Sequence, residues 1–258
     1  MRWQTAAVTV GRFVLLLLAG VGGGLTGSVA GLASLVSYPS LLAIGLPPVT
    51  ANVTNTVSLV FSSLGSISAS RPELVGQRHR VLVLGAAGVV GGALGGALLL
   101  ATPAESFERA VPVLIGLASI AILVRRKLVD EAQPQVPHRA GPGLALAVGA
   151  VGIYGGYFGA GAGVMLLALL LYVTGEPLPR CNAAKNVVLG VANGVAAVGF
   201  ALFGDVRWSV VLPLGMGLFA GGRLGPVVVR LAPAGPLRLL IAIAGLGLAL
   251  RLGVHAYG

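Results

Sequence analysis

Long apolar stretches, separated by short polar or proline-containing links, dominate the pattern of this chain. Eight stretches are long enough to cross a bilayer, since a span needs about 20 apolar residues. They cover roughly 13–37, 50–70, 81–101, 104–124, 142–172, 181–203, 208–229 and 232–253. The first and fifth are too long for one simple span and are dense in glycine. The pattern therefore predicts an all-α membrane protein of about eight transmembrane helices, in which these two are each a helix followed by a short re-entrant piece.

The chain repeats itself at a nearly constant offset of 130 residues. At this offset Pro47 aligns with Pro177, Asn52 with Asn182, and Gly91 with Gly221. The repeat predicts a first four-helix repeat over 1–124, a cytoplasmic linker over 125–140 and a second four-helix repeat over 141–258. Four spans per half would make the repeats parallel, whereas re-entrant pieces that cross fully would make them inverted. Transporters are often built from such repeats, with the substrate site between them. A structural protein built from a duplicated bundle is the alternative.

Composition strengthens the membrane assignment. Of the 258 residues 56% are hydrophobic and only 9% are charged, whereas soluble domains carry about 25% charged residues. Glycine accounts for 41 residues, and glycine lets transmembrane helices approach closely. The single cysteine, Cys181, forms no internal disulfide and resembles a small packing residue. The basic-then-apolar start resembles a signal peptide, but its apolar run continues into the repeat, so we expect it to be retained.

Positive charge predicts an orientation. The net charge is +10, which we attribute to basic cytoplasmic loops and not to nucleic-acid binding. We place 11 of the 17 Lys and Arg residues on one side, namely those at the N-terminus, in 71–80, in 125–139, and at Arg207 and Arg251. The other six are Arg109, Arg180, Lys185, Arg223, Arg230 and Arg238. This bias predicts a multi-pass protein of the cell membrane with both termini and the linker in the cytoplasm.

Enzyme chemistry finds no support in the sequence. His79, His138 and His255 are scattered and give no pair with metal-ligand spacing. No nucleophile constellation and no nucleotide-binding motif can be identified. We therefore predict no catalytic residue, no metal and no cofactor. Any energy for transport must come from an ion gradient, the membrane potential or the substrate gradient.

Two kinds of segment are candidates for a binding site. The first is the glycine cluster of the fifth stretch, with Gly159, Gly161 and Gly163. It indicates either one face of close helix packing or an unwound segment whose bare N–H groups meet an anion. The second is a pair of polar helix stripes, which carry Asn52 and Asn55 in one half and Asn182, Lys185 and Asn186 in the other. Amides are costly in hydrocarbon, so these side chains face protein or water.

Lys185 is the most informative of these residues because it aligns with Asn55, so only one half carries a charge there. We interpret it either as a fixed cation that holds an anionic substrate or as a residue that snorkels to the interface. In the first case the four asparagines complete the hydrogen-bonding shell. Arg223, which replaces Ala93 of the first half, is the candidate second cation.

At these residues the chain resembles the TauE/SafE family of sulfite and organosulfonate exporters. The resemblance rests on GGGLTGSVAGLASLVSYPSLLAIGLPPVTANVTNTVSL, on GIYGGYFGAGAGVMLLALLLYVTGEPLPRCNAAKNVVLG, on FGDVRW and on GGRLG. In the first cluster Ser28, Ala30 and Ala33 stand where the family often has glycine, so we expect the first segment to unwind less than the fifth.

The resemblance implies secondary transport of small sulfur-containing anions, such as sulfite, sulfoacetate or related organosulfonates, out of the cytoplasm. The partners it implies are a small anionic substrate and membrane lipids; a homodimer is left open and no nucleic acid is expected. A passive anion channel and a structural or assembly protein are the alternatives.

Overall fold

The computed structural model describes residues 9–116, 141–231, 250 and 254. The linker 125–140, residues 117–124 of the fourth predicted span and all of the eighth except residue 250 lie outside the described residues. In chain order the helices are α1 (Val10–Ala30), α2 (Ala33–Ala43), α3 (Pro48–Ala69), α4 (Arg71–Leu74), α5 (Arg78–Ala101), α6 (104–116), α7 (Pro142–Tyr157), α8 (Ala162–Thr174), α9 (Leu178–Phe203) and α10 (Trp208–Leu231). The protein is an all-α membrane protein. By length and composition α1, α5, α9 and α10 are each able to cross a membrane.

Glycines break the first and fifth stretches as the sequence predicts. Gly31 ends α1 in the left-handed region at φ 79°, and its N–H donates to the Gly27 carbonyl at 2.8 Å. Only residues 31–32 separate α1 from α2, whereas residues 158–161 separate α7 from α8. Gly159 and Gly161 of the second break are both left-handed, at φ 79° and 80°. The expectation that the first segment unwinds less than the fifth is confirmed.

Close glycine contacts fix the relative directions of the helices. A Cβ added to Gly20 would strike the Leu214 carbonyl of α10, and one added to Gly24 would strike the Leu218 carbonyl. Both residue numbers rise together, so α1 and α10 run parallel. The same rule applied to α3 and α10, α5 and α7, and α5 and α9 makes each of these pairs parallel.

A short connection shows that the helices parallel to α10 and the helices parallel to α9 run in opposite directions. Residues 204–207 join α9 to α10 and reach at most about 18 Å, whereas α10 is about 36 Å long. The two helices must therefore be antiparallel. Thus α1, α3 and α10 run one way and α5, α7 and α9 run the other, so equivalent helices of the two halves are inverted. Because α1 and α3 share a direction, α2 runs back between them as a re-entrant helix.

These directions define two faces. The Arg78 face holds the starts of α5, α7 and α9 and the ends of α3 and α10. The Trp208 face holds the starts of α1, α3 and α10. Across the Arg78 face Arg230 pairs with Glu73 at 2.7 Å, and Arg80 pairs with Glu176 at 3.2 Å.

The charge grouping expected from the sequence is therefore wrong. It separated 71–80 from Arg180 and Arg230, which share the Arg78 face, and grouped 71–80 with Arg207, which lies at the Trp208 face. The starts of α1 and α7, which are the described residues that follow the N-terminus and the linker, lie at opposite faces. The cause is the path of α2, which returns the chain to the face where α1 begins, whereas the expected grouping let the first stretch cross the membrane once.

Two apolar clusters enclose the helix breaks. One is built mainly on α1, α2, α3 and α10, and the other on α5, α7, α8 and α9. Phe158, at the second break, packs edge-on against Tyr38 of α2 with ring centroids 5.6 Å apart. The two clusters hold the breaks together at the centre of the helix bundle.

Candidate functional site

A cavity lies where the two helix breaks meet, between α3 and α9. It encloses about 480 Å³ of empty space, including the space at its mouth. The lining comprises Gly27, Ser28, Gly31, Ala33, Ser34, Leu59, Ser62, Ser63, Ser66, Gly159, Ala162, Gly163, Asn186, Leu189 and Asn193. None of these lining residues carries a formal charge. The polar surface therefore consists of hydroxyls, amides and exposed backbone.

Contact between two glycines joins the breaks. A Cβ on Gly163 would lie 3.0 Å from the Gly31 carbonyl oxygen and closer still to its Cα atom, and a Cβ on Gly31 would strike Gly163 in return. Only glycine permits this approach, and Gly31 also needs glycine for its left-handed φ. The contact brings the first turn of α2 and the first turn of α8 to the same cavity.

Helix N-termini expose N–H groups that have no partner within the helix. Ala33 and Ser34 begin α2 and Ala162 and Gly163 begin α8, and all four line the cavity. Each N-terminus carries roughly half a positive charge. Two such ends on one small cavity form a favourable environment for an anion.

Buried polar side chains point to a ligand independently of the helix ends. Ser28 and Asn186 both contribute to the lining and are only 1% and 5% exposed, but the Ser28 hydroxyl is directed at Gly225 of α10. Neither the Ser28 hydroxyl nor the Asn186 amide nitrogen has a hydrogen-bond partner within the described part of the chain. An unsatisfied buried polar group costs about 1–3 kcal/mol, so a polar ligand that reaches the Asn186 amide would relieve its cost.

Lys185 lies directly behind the cavity wall. It is fully buried, so the snorkelling interpretation is excluded. Its Nζ donates to the carbonyls of Gly27 at 3.0 Å and Ser28 at 3.1 Å, in the last turn of α1. Cations stabilise helix C-termini because the carbonyls there carry partial negative charge. Lys185, which belongs to the second half of the chain, therefore caps the C-terminus of α1 in the first half.

Asn52, in the first half of the chain, makes the reciprocal cap on the C-terminus of α7 in the second half. Its amide nitrogen donates to the carbonyl of Tyr157, the last residue of α7, at 2.8 Å. Asn55 instead fixes α2, because it accepts a bond from Ser37 at 2.5 Å and donates to Ser34 at 3.2 Å. Because the Ser34 oxygen accepts the bond from Asn55, its hydroxyl hydrogen is left to donate to a ligand in the cavity.

The structure brings most of the site residues expected from the sequence to the cavity. Some of them line it and others lie behind its wall. Gly159, Gly163 and Asn186 line the cavity. Gly161 starts α8, whereas Asn52, Asn55 and Lys185 act from behind the wall. Asn182 is buried, and its side-chain oxygen has no partner among the described residues. Arg223 is apart from them: it is exposed on α10 and donates to Ser68 at 3.3 Å.

The polar stripe that begins at Asn55 continues through Ser62 and Ser66, which line the cavity, but sequence reasoning missed three other lining serines. Ser28 and Ser34 flank the first break, and Ser63 lies on α3 beside that stripe. For Ser28 the available signal was the alignment of the two glycine clusters, in which it corresponds to Ala160 of the second break. A hydroxyl where the other half has alanine marks a position facing protein or water.

Comparison with known proteins agrees with this architecture. The model of the sulfite exporter TauE/SafE family matches residues 16–252. The chain belongs to the TauE/SafE family. Within this family of membrane transporters it is similar to the probable membrane transporter protein YfcA of Escherichia coli K12, with 27% identity over 240 residues, covering 91% of this chain and 87% of the relative.

Two other TauE/SafE relatives show the same level of similarity. The probable membrane transporter protein ORF9 of Sinorhizobium sp is 27% identical over 235 residues, covering 89% of this chain and 87% of the relative. A probable membrane transporter protein of Haemophilus influenzae is 29% identical over 203 residues, covering 78% and 79%. The similarity therefore extends across both halves of the chain.

Proposed function

We propose that this protein is a secondary transporter that exports small sulfur-containing anions, such as sulfite or an organosulfonate, and that it is not an enzyme. The observation that carries the proposal is the convergence of two half-helix N-termini on one buried, uncharged cavity. The family description supports sulfur oxyanions as the substrate class. Broken helices that meet at a repeat interface are the usual site of substrate binding in transporters.

The lining suits an oxyanion. A sulfonate or sulfite group presents three oxygens and accepts several hydrogen bonds at once. We infer that the N–H groups of Ala33, Ser34 and Gly163, the Ser34 hydroxyl and the Asn186 amide donate to them. Leu59 and Leu189 supply apolar wall for a short organic tail.

We further infer that the Arg78 face is cytoplasmic. Among the residues that the structure describes, this face holds Arg71, Arg78, Arg80, Arg180 and Arg230, and the Trp208 face holds Arg12, Arg109 and Arg207. Basic residues near the ends of spans are enriched on the cytoplasmic side. This orientation keeps 71–80 cytoplasmic, as expected from the sequence, but places the start of α1 and Arg207 outside.

Flux into proteoliposomes tests the proposed function. Sulfite, sulfoacetate, taurine, sulfate and thiosulfate are supplied separately to vesicles with and without the purified protein, and with imposed ion gradients. We expect saturable, protein-dependent flux for at least one sulfite or sulfonate substrate and its acceleration by a gradient. Conductance without saturation would identify a passive channel instead, and no flux of any of the anions would contradict the proposal.

A further inference from the structure

The two half-helices that end at the breaks are completed differently at their C-termini. At the end of α1 the Lys185 ammonium donates to the carbonyls of Gly27 and Ser28, at 3.0 and 3.1 Å. The backbone N–H of Gly31 also donates to the Gly27 carbonyl. A cation at a helix C-terminus is favourable because the carbonyls there carry partial negative charge. The end of α1 therefore has a positive group that the chain itself supplies.

The end of α7 has carbonyls that remain unpaired. The Tyr157 carbonyl accepts the bond from Asn52, and the two N–H groups that follow the helix both donate to the Tyr154 carbonyl. Within the described part of the chain no hydrogen bond reaches the carbonyls of Gly155 and Gly156, and both of these glycines are buried. Buried backbone carbonyls are nearly always paired in folded proteins. Two unpaired ones at a helix end indicate a place for a ligand.

The Asn52 side chain provides an independent observation at the same place. Asn52 is fully buried, and its amide oxygen Oδ1 has no hydrogen-bond partner among the described residues. Oδ1 lies beside the last turn of α7, because the nitrogen of the same amide group contacts the Tyr157 carbonyl at 2.8 Å. The amide oxygen and the unpaired carbonyls together form a set of neutral oxygens. In transporters, half-helix C-termini and unwound carbonyls of this kind coordinate small cations.

The charged side chains that the structure describes near this helix end lie outside the site. Asp205 and Arg207 bond to residues two positions before and two positions after Asn52 on α3. Two positions turn the direction of a helical side chain by about 200°, so this pair lies on the opposite side of α3. The α6 helix packs against the end of α7 through an edge-on aromatic contact. Its charged residues are all exposed, and they are Glu105, Glu108 and Arg109. The two carboxylates among them favour a cation at this end of the bundle.

We propose that an alkali cation, Na⁺ or K⁺, binds at the C-terminus of α7 and is held by the Asn52 amide oxygen and the carbonyls of Gly155 and Gly156. It corresponds to the Lys185 ammonium at the end of α1, so one half of the repeat carries its cation covalently and the other takes it from solution. The site adjoins the anion cavity, because Gly159 lines the cavity and a Cβ on it would lie 3.0 Å from the Gly155 carbonyl oxygen. The bound cation therefore strengthens anion binding, and this part of the inference rests on the proposed function.

Calorimetry with the purified full-length protein tests the site and its effect on the anion. Methanesulfonate binding is measured in sodium chloride, potassium chloride and choline chloride at equal ionic strength, since choline is too large for the site. We expect binding at least about tenfold tighter in the sodium or the potassium salt than in the choline salt, within the usual range of coupling between two sites. Coupling is reciprocal, so methanesulfonate must raise the affinity for the same cation by the same factor. K⁺ is the cation whose cellular gradient would drive export.

Variants at Asn52 then locate the site. Asn52→Asp keeps an oxygen ligand and adds a negative charge, so we expect cation binding at least about tenfold tighter and thermal stability that rises more steeply with cation concentration than in wild type. Asn52→Leu removes the oxygen, so methanesulfonate should bind equally in all three salts. Asn182→Leu is the matched control, because it removes the equivalent buried amide from the half whose own cation is Lys185. The preference for the sodium or potassium salt should persist in it.

The outcomes separate this inference from the proposed function. Equal methanesulfonate affinity in all three salts, or cation binding in Asn52→Asp no tighter than in wild type, would overturn the cation site. Flux of sulfite or a sulfonate into proteoliposomes would be unaffected by that result. If Asn52→Leu does not fold, wild type and Asn52→Asp still decide the question. Absence of anion binding and flux in every salt would overturn the proposed function. Thermal stabilisation of wild type by Na⁺ or K⁺ over choline would then still support the cation site, and its absence would overturn that site as well.

Discussion

Replacement of Gly163 by alanine tests whether the contact between the two helix breaks holds the cavity together. The new Cβ would lie 3.0 Å from the Gly31 carbonyl oxygen and nearer still to its Cα atom. Real Cβ atoms are seldom found so close to backbone, and neither backbone can rotate away as a side chain could. The two breaks must therefore separate by roughly 1 Å, which is an overpacking strain.

Two opposing contributions set the change in the free energy of unfolding caused by Gly163→Ala. Overpacking costs typically about 1–3 kcal/mol, and backbone on both sides places this site near the upper end. Alanine returns up to about 1 kcal/mol through its helix propensity, since Gly163 is inside α8. The net loss is about 2 kcal/mol. For a chain of this size it lowers the melting temperature by about 4–8 °C, and the displaced α8 weakens anion binding by about tenfold or more.

Another helical glycine provides the matched control. Gly194 is in α9 and its Cβ would meet nothing within 4 Å, so Gly194→Ala should leave stability equal or higher. The assay is thermal unfolding of the purified protein together with methanesulfonate binding. Gly163→Ala as stable as Gly194→Ala, with unchanged binding, would refute the contact argument.

Three other predictions concern the caps, the surface and the topology. Asn52→Leu leaves the last carbonyl of α7 unpaired and should destabilise the protein by about 1–3 kcal/mol in thermal unfolding; equal stability would contradict the cap. The Arg230 guanidinium lowers the pKa of the Glu73 carboxyl, so this pair stabilises the fold at neutral pH and ceases to do so as pH falls through that lowered pKa. Glu73→Gln should therefore cost up to about 1 kcal/mol near pH 7 and progressively less as the pH falls through the lowered pKa of Glu73, and a cost that does not change with pH would refute this origin. In a Cys181→Ala background, a membrane-impermeant maleimide should label Ser209→Cys in intact cells and Val75→Cys only after permeabilisation; the reverse pattern would reverse the orientation, and equal labelling would contradict the helix directions.

Much of the fold was predictable from local patterns. Helix lengths follow from apolar runs, and the two breaks follow from glycine density that exceeds one helical face. The offset of 130 residues is also visible in the structure, where Gly92 approaches the Ala192 carbonyl and Gly222 approaches the Ser62 carbonyl. Equivalent glycines thus meet positions that are themselves 130 residues apart.

Helix direction was not predictable, because an apolar run reads the same in either sense. The direction of every later span depends on whether α2 returns to the face where α1 begins or continues across the membrane. The sequence of its 11 residues does not indicate which path it takes. Contacts between distant residues were equally inaccessible. The Lys185 ammonium donates to carbonyls more than 150 positions earlier in the chain. Every residue has a backbone carbonyl, so the sequence does not indicate which of them is the acceptor. A charge carried by only one half of the repeat therefore suggested a direct ligand where the structure has a helix cap.

Locating a bound anion tests the central claim, that the cavity between the two helix breaks is the substrate site. Selenite is the selenium analogue of sulfite, and its anomalous scattering identifies the selenium position in crystals of the purified protein. We predict an anomalous peak in the cavity beside Ser34, Gly163 and Asn186, and its loss in crystals that also contain excess sulfite. Peaks confined to the arginines of the two faces, with none in the cavity, would contradict the account.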